Sequence, residues 1–267
     1  MFNFKKDKKM KKFNSVLLIG IMFCCMLGMT TSCLKWNPSE VIKTGNPSKM
    51  PGLGNNENKI EGPDWTCPAG ISVGAISGYS GSKSLEIFNN SGFDKKNYDF
   101  SSEENQKNII QKDGESSNKF GSGYYVQILV PITNSTTNNI TVEFPKATIF
   151  ECSSNNYQNG LLIKKVSFVI HANSTRNIIL YLYCSNLSRH ASDSGATYNR
   201  IIVCTYQPIV DLCKLFENKK VNIEEPNNDY YASQVSKIQN IVWNLTQLGI
   251  TPSTSDKEWI NSIPNSN

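Results

Sequence analysis

The chain has 267 residues, of which 39% are hydrophobic and 18% are charged, a balance typical of globular rather than disordered proteins. Its formal net charge is +5. Residues 1–32 hold six lysines and one acidic residue and so carry the whole excess, whereas residues 33–267 hold 21 basic and 21 acidic residues. A nucleic-acid-binding protein needs basic charge clustered on its folded part. We therefore expect no nucleic-acid partner.

The N-terminus has the pattern of an export signal. An apolar run over residues 16–29 follows the lysines, and these 14 residues are too few to cross a bilayer, which needs roughly 20. A basic arm, a short apolar core and small residues after it indicate a secretion signal. The pattern predicts that residues 1–32 form a signal peptide.

The end of this signal reads Thr30-Thr31-Ser32-Cys33. A small residue directly before a cysteine resembles the lipobox of bacterial lipoproteins, although Thr30 stands where that family more often has Leu. The resemblance implies cleavage before Cys33 and acylation of Cys33, which anchors the protein in the membrane at roughly 0.8 kcal/mol per buried methylene. It also implies export to the cell envelope. Leu34, rather than an acid, follows the cysteine, which in the enterobacterial sorting pattern permits transfer to the outer membrane, on its periplasmic or surface face. The alternative is an ordinary secretory signal with Cys33 as an incidental thiol.

The remaining chain divides by composition into four parts. Residues 33–66 are rich in Pro, Gly and Asn and are predicted to be a flexible tether. Residues 67–121 are Gly/Ser-rich with a few short strands, residues 122–207 form a β-sandwich, and residues 208–267 form a C-terminal helical segment packed on the sandwich.

Alternating apolar residues predict the strands. Alternation places these residues on one face of each strand, and the four sets are Tyr124/Val126/Ile128/Val130/Ile132, Ile140/Val142/Phe144, Val166/Phe168/Ile170 and Ile178/Leu180/Leu182/Cys184. Residues 201–206 are a further β-rich piece. Pro131 lacks a backbone donor and implies an edge or a bulge. Short strands separated by polar turns, without helices between them, favour an antiparallel β-sandwich.

The C-terminal residues change to a helical pattern. Pro208 to Glu217 is a candidate short helix, and apolar residues of the segment from Tyr230 to Leu248 recur at helical spacing. Gly249 suits the end of that helix. Ser255 and Glu258 have capping-box spacing for a last short helix. The fold expected is mainly β, an Ig-like antiparallel β-sandwich with a short C-terminal α-helical segment.

Short motifs between residues 124 and 250 resemble Ig-like modules of bacterial envelope proteins. They are a strand that ends in Pro145, Gln158 after the next strand, Tyr183-Cys184-Ser185-Asn186, and Tyr198 at the close of the following loop. The aliphatic-Gln-x-x-aliphatic-Trp segment from Ile238 to Trp243 also occurs in thioester-domain adhesins of bacterial surfaces. The second resemblance implies that Cys184 and Gln239 are a candidate reactive pair.

A cysteine thiol can condense with a glutamine side chain and release ammonia, which yields a thioester that captures amines or hydroxyls. Cys184 and Gln239 would supply these two groups. The structural alternative makes Cys184 a buried strand residue, Trp243 a core anchor of the helix, and Gln239 a solvent-facing residue.

Other chemistry has weaker support. Cys184, His190 and Asp193 form a conceivable nucleophilic trio, but the sequence has only two histidines and no metal-ligand spacing. We therefore expect no metal, no cofactor and no enzymatic activity. After lipidation five cysteines remain, an odd number that leaves at least one thiol outside any internal disulfide: Cys67, Cys152, Cys184, Cys204 and Cys213.

These observations favour a lipid-anchored envelope or surface protein that is a non-catalytic binding or adhesion module. Its partners would be the membrane, through the anchor, and an unknown protein or glycan. A surface protein with a reactive Cys184 and a purely structural envelope component are the alternatives.

Overall fold

The computed structural model describes residues 50–79, 118–225 and 231–266. Within them lie ten strands: β1 (Ile71–Val73), β2 (Ile76–Gly78), β3 (Lys119–Gly121), β4 (Val126–Asn134), β5 (Ile140–Phe144), β6 (Thr148–Cys152), β7 (Gly160–Leu162), β8 (Val166–Ile170), β9 (Ser174–Cys184) and β10 (Thr197–Val203). Three helices follow: α1 (Gln207–Phe216), α2 (Tyr231–Leu248) and α3 (Thr254–Ser262).

Six strands close into an antiparallel barrel. Their order is β4-β2-β10-β6-β7-β9, and β9 pairs with β4 again over nine register positions, from Val126↔Leu182 to Asn134↔Ser174. β1 continues the β2 edge of β4, and β3 runs parallel to β9 beside β7. β5 and β8 form a separate two-stranded sheet whose inner face packs into the barrel core.

The prediction of a mainly β chain with a short C-terminal helical segment is confirmed. The strands are not clearly those of an Ig-like sandwich, because a sandwich consists of two open sheets. Here β4 is hydrogen-bonded to β9 on one edge and to β1 and β2 on the other, so that the sheet closes on itself. β1 and β2, which lie between residues 71 and 78, also pair with β4 and β10, across the boundary expected at residue 122.

The alternating residues fill the barrel. All four predicted sets contribute to one buried cluster, and β8 alternates buried and exposed residues along its whole length. Tyr124 is the exception. It precedes β4 and packs in a second core, outside the barrel. Because strand side chains alternate faces, each of these strands has one apolar row directed inward.

A second core lies between the outside of the barrel and the helices. Outward-facing strand residues such as Ile149 and Tyr183 pack there with the apolar stripes of α1 and α2. Met50, Leu53 and Ile60 are buried in the same core. The predicted tether therefore does not extend through residues 50–66, because these side chains are anchored in the domain. Residues 33–49 lie outside the described residues.

Two local predictions need correction. α3 is capped by Ser253, whose hydroxyl accepts from the Asp256 N–H while the Asp256 carboxylate accepts from the Ser253 N–H, so the capping box begins two residues before the predicted Ser255. Pro131 lies inside β4, which has partners on both sides. The missing donor is accommodated because the neighbouring edge is interrupted there between β1 and β2, and Gly74 donates to the Pro131 carbonyl at 2.8 Å.

Candidate functional site

The predicted lipidation site, Cys33, lies outside the described residues together with the whole signal peptide. Among the described residues, no helix is both long and apolar enough to cross a bilayer.

The structure brings Cys184 and Gln239 together. Cys184 is the last residue of β9, and Gln239 lies in the middle of α2. The Cys184 N–H donates to Gln239 Oε1 at 2.9 Å, and Gln239 Nε2 donates to the Cys184 carbonyl at 2.8 Å. Both residues are buried, and the expectation that Gln239 faces solvent is wrong. Gln239 therefore pairs with the strand end as another strand would.

The Cys184 thiol has a different neighbour. Trp243, one helical turn after Gln239, donates its indole N–H to Cys184 Sγ at 3.1 Å. Its ring centroid lies 5.3 Å from that of Tyr125, and the residue is half-buried against the barrel core. Trp243 and Gln239 together fix α2 to the end of β9, which satisfies the buried backbone groups of Cys184.

This geometry suits a structural joint better than a reactive site. A nucleophilic cysteine needs a partly exposed, electropositive surrounding, whereas Cys184 is 0% exposed and Gln239 is 1% exposed. The carboxamide that would have to be attacked already makes two hydrogen bonds to backbone. An amine or hydroxyl from solvent has no direct access to either group.

The other cysteines are in comparable surroundings. None of the five cysteines among the described residues forms a disulfide, and only Cys67 is more than marginally exposed. Burial raises the pKa of the Cys204 thiol to about 12 and raises that of Cys213 further. Both thiols are therefore protonated and unreactive at neutral pH.

The trio Cys184, His190 and Asp193 does not have the accessibility of a catalytic site. Cys184 is buried, while His190 is exposed and its ring contacts Tyr157 instead. Among the described residues, no group of three or more His, Cys, Asp or Glu side chains could hold a metal ion.

A partly exposed polar cluster, which we call the loop-end cluster, contains His190 and Asp193 of the expected trio, but with Tyr157 in place of Cys184. It consists of Tyr157, His190 and Asp193, in the loops that follow β6 and β9. Tyr157 and His190 form a parallel β-bridge and their ring centroids are 6.4 Å apart. The Tyr157 hydroxyl is hydrogen-bonded to Asp193, which raises the pKa of Tyr157.

Gly195 is in close contact with the loop-end cluster. A Cβ at this position would lie 3.0 Å from the Tyr157 hydroxyl oxygen and 3.1 Å from Asp193 Oδ1. The Gly195 N–H also donates to Asp193 Oδ1 at 2.7 Å, so that the hydroxyl and the carboxylate pack closely against this glycine. The residues are isolated in sequence and carry no periodic signal; only the loop pairing brings them together.

A buried amide network attaches the first described segment to the barrel. Asn186 Nδ2 donates to the carbonyls of Gly52 and Gly54 at 3.0 and 2.9 Å, and Asn159 Nδ2 donates to Gly52 at 2.9 Å. Asn159 Oδ1 in turn accepts from the Cys152 N–H at 2.8 Å. The network explains two Asn residues of the resemblance region as structural rather than ligand-binding.

A second polar group lies near the C-terminus. Lys164 Nζ donates to Glu225 Oε1 at 2.5 Å, to the Lys219 carbonyl at 2.7 Å, and to the Ser266 hydroxyl. The Lys164 side chain therefore has three acceptors, which fix it between the loop at Lys219 and the C-terminus. Glu224 accepts from the Gly121 N–H at 2.8 Å, and desolvation raises the pKa of its carboxyl to about 7.

Comparisons with protein-family models, with curated proteins and with solved structures give no match for this chain.

Proposed function

We propose that this protein is a lipid-anchored protein of the bacterial cell envelope or surface whose folded part is a non-catalytic binding module. The anchor is supported by the signal pattern that ends at Cys33. The binding role is supported by one contrast: the most reactive candidate, Cys184, is buried, while an aromatic ring, an imidazole and a carboxylate are accessible in the loop-end cluster. The protein would be exported and held on the outer membrane, on its periplasmic or surface face.

The loop-end cluster suits a ligand with hydroxyl groups, such as a glycan or a polar protein surface. The Asp193 carboxylate accepts hydrogen bonds, the His190 imidazole can donate or accept, and the Tyr157 ring offers an apolar face with a polar tip. From the resemblance to Ig-like modules we take only that loops form the binding surface.

The binding role is tested with immobilised glycans and with intact bacterial and host cells as probes. His190→Ala should reduce binding at least tenfold, whereas His171→Ala should leave it unchanged. His171 is a matched control, since it is the other histidine and is exposed at the far end of β9, an 11-residue strand about 35 Å long. Equal binding by both variants would remove the loop-end cluster from the proposal, and no binding to any probe would favour a structural envelope component.

The anchor is tested separately. Cells grown with a clickable palmitate analogue should label the wild-type protein and leave Cys33→Ser unlabelled, and the intact mass should correspond to a chain that begins at an acylated Cys33. An unacylated chain in the culture medium would contradict the anchor.

A reactive Cys184 is the second candidate, because its backbone lies within hydrogen-bond distance of the Gln239 carboxamide. A thioester would lower the intact mass by one ammonia and would add methylamine. We expect neither, since both residues are buried. A methylamine adduct that is lost in Cys184→Ala would establish the reactive alternative.

A further inference from the structure

Three separate segments meet around Gly54. The Gly54 N–H donates to the Ser185 carbonyl at 2.8 Å, and a Cβ on Gly54 would lie only 2.1 Å from the carbonyl oxygen of Thr246. The hydroxyl of Ser188 also donates to Asn55 Oδ1 at 3.0 Å. The first described segment, the loop after β9 and the C-terminal end of α2 are therefore direct neighbours.

These segments carry no charge. Residues 50–56, 183–188 and 239–255 contain no Asp, Glu, Lys or Arg, although 30 residues of this chain would on average contain about five. Charged groups are the most costly groups to transfer out of water. We call the exposed part of these three segments the uncharged surface. If this surface contacts an apolar phase, none of the three segments has a charged side chain to transfer out of water.

Apolar side chains are exposed on the same segments. Leu248 is 62% exposed, Ile250 is 53% exposed and Leu187 is 39% exposed, and they are three of the four exposed large hydrophobic residues that the structure describes. The fourth, Val169 on β8, is 40% exposed. Single exposed hydrophobic residues are ordinary, but a group of them within a charge-free region marks a contact surface.

We propose that the uncharged surface lies against the lipid bilayer in which the protein is anchored, with Leu187, Leu248 and Ile250 in the interfacial region. This inference rests on the proposed acylation of Cys33. Sixteen residues separate Cys33 from Met50, and a chain of that length reaches at most roughly 55 Å. That chain enters the domain through residues 50–56, which are part of the uncharged surface, so this surface cannot lie farther from the anchor than that distance.

Because the anchor holds the domain near the bilayer, even a small apolar surface is sufficient for contact between the domain and the bilayer. Once the acyl chains are inserted, contact between the domain and the bilayer is intramolecular in effect, and a weak interaction is populated at high local concentration. Leu187 is also three residues from His190, a separation of at most roughly 10 Å. The loop-end cluster would then lie beside the bilayer, which favours a ligand in the protein's own envelope.

The test uses the full chain, acylated in cells, purified and reconstituted in phosphatidylcholine vesicles that contain nitroxide-labelled lipid. An environment-sensitive fluorophore is attached to Leu248→Cys or to the matched control Val169→Cys, each with Cys67→Ser to remove the half-buried thiol. Arg176, on β9, donates to the Val169 carbonyl at 3.0 Å. Because Arg176 lies eight residues before Cys184, Val169 is about 26 Å along β9 from Cys184.

We expect a blue shift and loss of emission at position 248 and neither at position 169. Equal, unquenched emission at both positions of an acylated, vesicle-bound protein would overturn the inference while leaving the anchor intact. An intact mass without acyl groups would instead refute the anchor, and this inference with it. Shielding of position 248 by a cross-linked protein, with no quenching by lipid, would overturn the bilayer contact in favour of a protein partner.

Discussion

We expect the Gln239 side chain to contribute more to the free energy of unfolding than a glutamine side chain usually does. Its two hydrogen bonds, at 2.9 and 2.8 Å, satisfy both backbone groups of Cys184 at a buried strand end. Gln239→Ala removes one hydrogen-bond partner from each of two buried backbone groups, and such a loss costs about 1–3 kcal/mol per group. We therefore expect the free energy of unfolding to fall by about 2–5 kcal/mol.

The measurement is urea denaturation of the purified chain without its signal peptide. With a slope of about 2–3 kcal/mol per M for a chain of this size, the midpoint should fall by roughly 1–2 M. Gln247→Ala is the matched control, since Gln247 lies on the same helix and its buried Nε2 has no hydrogen-bond partner. We expect the control to change stability by no more than about 0.5 kcal/mol.

A third variant separates hydrogen bonding from packing. Gln239→Glu keeps the size of the side chain and an acceptor for the Cys184 N–H, but it places an oxygen opposite the Cys184 carbonyl. It should be destabilised like Gln239→Ala. Equal midpoints for Gln239→Ala and Gln247→Ala would refute the structural role that we assign to this joint.

Three further predictions concern other parts of the domain. Lys164→Met removes the cation paired with Glu225, whose carboxylate keeps the Val221 N–H, the Asn222 N–H and the Ser266 hydroxyl as donors, and should cost about 1–3 kcal/mol in urea denaturation; an unchanged midpoint would contradict a stabilising ion pair. The raised pKa of Glu224, about 7 against its usual 4.5, means that the folded state holds a proton that the unfolded state has lost, so this carboxyl lowers stability as pH rises from 4.5 to 7. Thermal unfolding across that range should show a flatter pH dependence for Glu224→Gln than for wild type, and identical slopes would disprove the assignment. Gly54→Ala combines a positive φ of 61° with a Cβ only 2.1 Å from the Thr246 carbonyl oxygen, so a marked fall in the melting temperature is expected, and an unchanged one would refute the close approach.

The local elements were predictable because their signals are local. Alternation along β4, β5, β8 and β9 identified the inward rows, since the face of a strand residue follows from its position alone. The helix predicted from Tyr230 to Leu248 is α2 within one residue, and Gly249 follows it with a φ of 68°. The capping box of α3 was placed two residues late, because Ser253, Ser255, Asp256 and Glu258 offer two overlapping boxes and spacing alone does not choose between them.

The candidate sites were less accessible to sequence analysis. A motif resemblance named Cys184 and Gln239 as a pair, and the structure does bring them together. That the Gln239 side chain bonds the backbone of Cys184 rather than its thiol depends on how α2 crosses the end of β9. No periodicity links Tyr157 with His190 and Asp193, so only the closed sheet, which brings the loops after β6 and β9 to one end, reveals that cluster.

The sequence by itself determined the charge balance of residues 33–267, the mainly β composition of the fold and most strand and helix positions, and it predicts an export signal at residues 1–32. These properties depend on neighbours along the chain. The tertiary structure decided that the sheet closes into a barrel, that Met50, Leu53 and Ile60 belong to the core, and that Gln239 is buried. Each of these depends on strand pairing and packing between residues far apart in sequence, where a one-residue change of register would alter every contact. The absence of charge from three segments can be read from the sequence, but only the fold brings these segments together as one surface.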